Sequence, residues 1–159
     1  MTSSHKILSL PDLLRKLNTW RIRGDKVVFT NGCFDLVHMG HVQYLEAARS
    51  LGDRLVLGLN SDSSVRELKG DSRPIVDEWA RAGVLAGLTA IDAICIFSEE
   101  TPAKLIEAVG PDILVKGGDY QISEIVGADY VLANGGEVQR IDFLPGHSTS
   151  RIVEKIKKE

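Results

Sequence analysis

The chain has 159 residues, 43% of them hydrophobic, and its 19 basic and 22 acidic side chains leave a formal net charge of −3. That length and apolar content supply one domain with one core, and the mild acidity excludes a general nucleic-acid binder, so a bound phosphate must be met by a few placed cations. No apolar run reaches the roughly 18 residues of a membrane span, and Met1-Thr2-Ser3-Ser4-His5-Lys6 opens no signal-peptide core, which points to a cytoplasmic protein with no membrane or nucleic-acid partner.

Residues 11–22 place Leu13, Leu14, Leu17 and Trp20 on a helical stripe opened by a proline suited to the first turn. A leading helix over about 9–23 therefore precedes a core of about 26–159. The β-rich run 26–30 is the first core strand, and from Gly40 onward Val42, Leu45, Ala48 and Leu51 recur at helical spacing until Gly52. The alternation then repeats: strand 54–59, helix 61–69 capped by Ser61 or Asp62 and stopped by Gly70, helix 77–88, and strand 93–97. Thr101 reads as an N-cap with Pro102 in the first helical position, and Gly110-Pro111 ends that helix before strand 113–116. A short helical stretch over 123–134, a strand over 137–143 and a helix from Ser148 close the series. Such alternation predicts an α/β fold, a doubly wound parallel sheet in a single domain, with ligands beyond the C-terminal strand ends in segments 31–41, 60–73, 116–120 and 144–151. Cys33 and Cys95, flanked by apolar residues in strand-associated segments, read as buried reduced thiols.

The connection after the first strand, Thr30 to His41, contains neither the dinucleotide fingerprint nor a P-loop. It offers His38 and His41 three residues apart on one helical face, with Gly40 between them removing a side chain that would crowd a phosphate. Two imidazole donors at a helix N-terminus suit negative charge growing on phosphorus. Zinc is the rival use of paired histidines, but a tetrahedral site wants further Cys or His ligands and no second cluster accompanies them, so no metal ligand is assigned to the protein.

The string T-N-G-C-F-D-L-V-H-M-G-H resembles the signature of the HxGH nucleotidyltransferase superfamily, whose fold is Rossmann-like. Together with Leu59-Asn60-Ser61-Asp62, Lys69-Gly70-Asp71-Ser72-Arg73-Pro74, Lys116-Gly117-Gly118-Asp119-Tyr120 and Ser148-Thr149-Ser150, it is similar in detail to bacterial D-glycero-β-D-manno-heptose 1-phosphate adenylyltransferases. The resemblance implies catalytic roles for His38, His41 and Lys69. It implies nucleotide contacts from Thr30, Asn31, Gly32, Cys33, Phe34 and Gly40 in the first loop, from Lys116, Gly117 and Asp119 after a later strand, and from Ser148, Thr149 and Ser150 at the last helix. Asp35, Asn60, Asp62 and Arg73 would contact the sugar phosphate, with Asp35 also able to orient its loop.

The implied substrates are ATP, with Mg²⁺ carried on its phosphates, and a sugar 1-phosphate made by a separate heptose kinase; the implied product is ADP-heptose, a lipopolysaccharide precursor. Two departures stand out: the superfamily's last signature arginine falls on Val153 while Arg151 occupies a variable position, and Ala82-Gly83 follow Arg81 where related sequences carry methionine and alanine. The second should soften helix packing without touching the chemistry. A homo-oligomer, dimer or tetramer, is expected, with Trp79, Val84 and Leu88 either lining its interface or filling the core. The alternatives are a cytidylyltransferase for glycerol 3-phosphate or a similar ester, and a nucleotide-binding module without catalysis.

Overall fold

In the computed structural model, which describes residues 2–159, five runs rich in β-branched and aliphatic residues pair into one sheet. These are β1 (Val27–Gly32), β2 (Arg54–Asn60), β3 (Ala93–Phe97), β4 (Ile113–Gly117) and β5 (Glu137–Ile141). All pairings are parallel and the order is β3-β2-β1-β4-β5. The runs of β1 to β4 are largely apolar on both faces because both faces are covered, whereas the edge strand β5 carries Glu137, Gln139 and Arg140 and stays partly exposed. Helices α1 (Leu10–Ile22), α5 (Ala103–Val109) and α6 (Ala128–Ala133) bury Leu17, Trp20, Ile106 and Val131 on one side against Phe29, Val56 and Leu114. On the other side, α2 (Met39–Arg49) and α4 (Glu78–Ala86) bury Leu45, Ala48 and Leu85 against Val28, Leu55, Leu57 and Val115. Two more helices, α3 (Asp62–Lys69) and α7 (Thr149–Lys157), stand at the C-terminal ends of the strands, capped by the hydroxyls of Ser61 and Ser148.

The chain starts in the middle of the sheet, runs outward through β2 and β3, then returns to lay β4 on the opposite side of β1. The loops leaving β1 and β4 therefore diverge and open a crevice between them, the position where doubly wound sheets hold ligands. Side chains are tightly interleaved beneath it. A Cβ on Gly58, in β2, would lie 2.8 Å from Phe29 Cζ and 3.1 Å from Leu105 Cδ2. Gly58→Ala should thus cost about 2 kcal/mol through overpacking, read as a lower urea midpoint at unchanged m-value.

Several boundaries differ from the sequence-based expectation for identifiable reasons. Pro102, and not Thr101, takes the cap position of α5; the Thr101 hydroxyl accepts from Ala103 N at 3.4 Å, and no side-chain cap bond is made by Pro102. The stretch 123–134 divides into a 3-10 turn (Ile122–Glu124) and α6, because Gly127 adopts φ +85° with Ile106 packed where a Cβ would stand. The last strand stops at Ile141, and Phe143 turns to the crevice mouth. Trp79 and Val84, 65% and 55% exposed on α4, lie outside the core, whereas Leu88 packs partly against it. No helix among the described residues is long and apolar enough to cross a membrane.

Candidate active site

β1 ends in a loop whose backbone is held against its own preference. Phe34 and Leu36 have φ of +48° and +52°, the left-handed region that costs a non-glycine residue about 1 kcal/mol or more. Between them the carboxylate of Asp35, 2% exposed, accepts from Ile75 N at 2.8 Å and Val76 N at 3.0 Å, and from Arg73 Nε at 3.1 Å. Its carbonyl oxygen accepts the Thr149 hydroxyl at 2.7 Å. These bonds tie the loop to the segment after α3 and to the start of α7, which offsets the strain.

The loop delivers His38 as the N-cap of α2. Its Nδ1 accepts from Gly40 N at 3.1 Å, while Nδ1 of His41 accepts from His38 N at 3.4 Å, a reciprocal capping box made by two imidazoles. With both Nδ1 atoms acting as acceptors, the proton of each neutral ring sits on Nε2, leaving two N–H donors for a ligand. The rings stack with centroids 3.9 Å apart. Burial, then the neighbouring His38 and Lys69, pushes His41 down to about 4; burial and His147 also lower His38. Both rings are neutral donors at pH 7. A Cβ on Gly40 would stand 2.9 Å from His38 Cε1 and 3.2 Å from His147 Cβ, so the position has no room for a side chain.

These groups face a cleft of about 760 Å³ over the C-terminal ends of β1 and β4. The end of β1 contributes Asn31 and Gly32 to its walls, the loop after it Cys33, Phe34, Asp35 and His38, and the first turn of α2 Gly40 and His41. Across from them stand Asn60, Lys69 and Arg73; Lys116 and Gly117 come from β4, and Ser148, Thr149 and Ser150 from α7. Lys116, whose ammonium burial makes easier to deprotonate, sits with Nζ 5.4 Å from the Tyr120 ring centroid. A sequence profile of the cytidylyltransferase-like family matches residues 29–155, the span from β1 into α7 that carries all these walls.

The chain belongs to the cytidylyltransferase-like family. It is 57% identical over 154 residues to the bifunctional protein HldE of Citrifermentans bemidjiense and 54% identical to that of Wolinella succinogenes, in each case over 97% of this chain. It spans about a third of the length of those curated relatives (32%). Among solved structures, a lipopolysaccharide core biosynthesis protein from Thermoplasma volcanium superposes with a TM-score of 0.63 at 28% identity, covering 76% of this chain and 98% of that one. Pantothenate synthetase from Thermus thermophilus, at 20% identity and a TM-score of 0.62, covers 96% of this chain and 70% of that one and shares the fold.

Three residues singled out in the sequence are not brought to the cleft of this cytidylyltransferase-like domain. Thr30 is buried under it, donating to Val115 O at 3.0 Å and sharing a 2.6 Å bond with the Tyr44 hydroxyl, so it pins β1 to β4 and α2. Asp62 turns to Arg81 at 2.8 Å. Asp119 is exposed beyond the cleft wall. Cys33 is half-buried in the cleft and lies past β1, and burial pushes its thiol up despite the nearby Lys69 and Arg81; Cys95 is buried as expected. Conversely, the cleft includes Tyr44, Phe143 and His147, which sequence reading passed over, although His147 directly precedes the serine-threonine helix start. Arg151 lines an adjoining recess of about 460 Å³ with His38, His147 and Lys155, outside the main cleft wall.

Proposed function

We propose that this chain transfers the adenylyl group of ATP to D-glycero-β-D-manno-heptose 1-phosphate, forming ADP-heptose and pyrophosphate. The observation that carries the transfer reading is the convergence of two neutral Nε2–H donors with Lys69, Arg73, Lys116 and the start of α7 around one cleft. The nucleotide and sugar rest on the likeness to bifunctional HldE proteins over nearly the whole chain, and on the T-N-G-C-F-D and K-G-G-D-Y strings.

A phosphate oxygen of the sugar attacks the α-phosphorus, a new P–O bond forms opposite the bond to the β-phosphate, and pyrophosphate departs with that bond's electrons. The attacking phosphate is already anionic, so no side-chain base or nucleophile is required and catalysis is positioning plus charge stabilisation. His38 and His41 donate to the α-phosphate oxygens. Lys69 and Arg73 hold the sugar phosphate; the Asp35 bond to Nε leaves the Nη groups of Arg73 free for it. The Ser148 hydroxyl oxygen caps Arg151 N and the Thr149 hydroxyl is engaged by Asp35 O, so it is the first-turn N–H groups of Thr149 and Ser150 that meet the pyrophosphate.

The carboxylates facing the cleft are Asp35, whose oxygens are occupied by N–H donors, and Glu100 at the rim; no cluster of three metal-ligating side chains occurs among the described residues. This donor set fits Mg²⁺ entering on the triphosphate oxygens, where it would neutralise charge on the leaving group. The substrate itself requires a kinase acting at the anomeric position. A cytoplasmic setting and a homo-oligomer that covers Trp79 and Val84 complete the proposal.

Pyrophosphate release measured over a panel of nucleotides and sugar 1-phosphates tests it. Turnover is expected with ATP and the heptose 1-phosphate. Turnover with CTP and glycerol 3-phosphate instead would replace this reading by the cytidylyltransferase one, and ATP binding without pyrophosphate from any acceptor would replace it by a binding module.

A further inference from the structure

Arg81 does not itself line the cleft, yet four of the segments that build its walls meet at its guanidinium. It is 1% exposed. Its Nε donates to Val76 O at 2.9 Å, Nη1 to Cys33 O at 2.6 Å and Asn60 O at 2.9 Å, and Nη2 to Asp62 Oδ1 at 2.8 Å. Cys33 belongs to the histidine loop, Asn60 ends β2, Asp62 opens α3, and Val76 follows the segment carrying Arg73. The planar fork fixes the angles among these four partners as well as their distances.

The same two segments are joined a second time by Asp35. Its carboxylate takes the N–H of Val76 while Arg81 takes the carbonyl, so that one residue is gripped from both sides. Asp35 lies between the two left-handed residues Phe34 and Leu36, where the loop would relax if its anchors were lost. Helix packing alone does not call for a cation here. Ala82, Leu85 and Ala86 already bury the inner face of α4, and a buried ion pair is a poor source of stability compared with an apolar residue of similar size.

We propose that Arg81 is a positioning residue: it sets the separation between the His38/His41 donor pair and the Lys69/Arg73 cations, and hence between the two phosphates that must react in line. This rests on the transfer reading above. Lysine retains the charge but lacks the planar fork, so it cannot satisfy carbonyls in three directions at these distances.

The test compares wild type with Arg81→Lys and Arg81→Gln, each corrected for its folded fraction by circular dichroism and a thermal melt. Arg81→Lys should lower kcat about 100-fold, the cost of roughly 1 Å of misplacement, with KM for ATP within about threefold. Amide hydrogen exchange should quicken at residues 33–38 and 73–76 and stay unchanged in β2 and β3. Arg81→Gln should lose more in both readouts. A kcat within about threefold of wild type, or a loss that vanishes after correction for folded fraction, would overturn the proposal. If neither variant folds, exchange in the wild type decides: Ile75 and Val76 amides should be strongly protected, and exchange as fast as at Asp71 and Ser72 would equally overturn it. Absence of wild-type turnover over the substrate panel would refute the transfer reading, while the exchange measurement would still judge the clamp.

Discussion

Replacing His41 with alanine should lower kcat at pH 7 by about 100- to 1000-fold, the range for losing one preorganised donor to developing charge. The magnitude follows from the tautomer: with Nδ1 committed to the His38 amide, Nε2–H is aimed away from α2's first turn and needs no reorganisation to meet a phosphate oxygen. His38 is arranged in the same way through Gly40 N, and its alanine variant should lose a similar factor plus about 1 kcal/mol of helix capping. ATP affinity should change little, since the cations and the α7 start remain; near-normal turnover in either variant would refute the role.

The pH dependence separates a neutral donor from an acid catalyst. His41 is pushed down to about 4, chiefly by burial, and His38 is lowered as well, so neither ring should give kcat/KM an acid limb at 6.5, and protonation of His41 should tell only as pH approaches its lower value. Stability carries the same sign. The folded state binds the proton on His41 less readily than the unfolded chain, whose histidine titrates near 6.5, so the contribution is present above 6.5 and is lost progressively toward pH 4. Wild type should therefore lose more thermal stability between pH 7 and 4.5 than His41→Ala does. Activity that instead falls as pH rises through about 6.5 would show a catalytic imidazolium.

Sheet architecture could be read from the sequence where apolar runs were short and cleanly bounded. Ala93–Phe97 coincides with its expected strand because Asp92 and Ser98 bracket five residues with no polar break. The histidine loop followed β1 for the same reason, and the expected cleft segments do converge at the point where strand order reverses. Periodicity reports which face of an element is buried but not which distant group a polar side chain will meet. Thr30 and Asp62 both had the chemistry of ligand contacts and instead found Val115 and Arg81, 85 and 19 residues away. Arg81 itself carried a signal, a cation on the apolar stripe of Ala82, Leu85 and Ala86, but helical periodicity names no partner for it. The left-handed Phe34 and Leu36 carried none, because their conformation is imposed by bonds from residues 73–76 and 149 that no local pattern encodes.

Asp35→Asn tests how much of the loop depends on those bonds and should destabilise the folded state by about 3 kcal/mol in urea titration. Three donors converge on this carboxylate, two of them backbone N–H groups that a carboxamide can satisfy with only one oxygen. Whichever way the Asn amide is turned, its NH₂ faces a donor, and at 2% exposure no water shell can relieve it. Arg73 loses its counter-charge as well, but with 15% of its side chain exposed it can swing into the cleft, which keeps the loss below that of a fully enclosed ion pair. Release of Arg73 should appear separately, as a rise of about tenfold in KM for the sugar phosphate, since a guanidinium no longer fixed at Nε must be ordered by the ligand. A stability change under about 0.5 kcal/mol would mean that the strained loop is anchored elsewhere. An unchanged KM would remove Arg73 from the sugar-phosphate site while leaving the histidine chemistry intact.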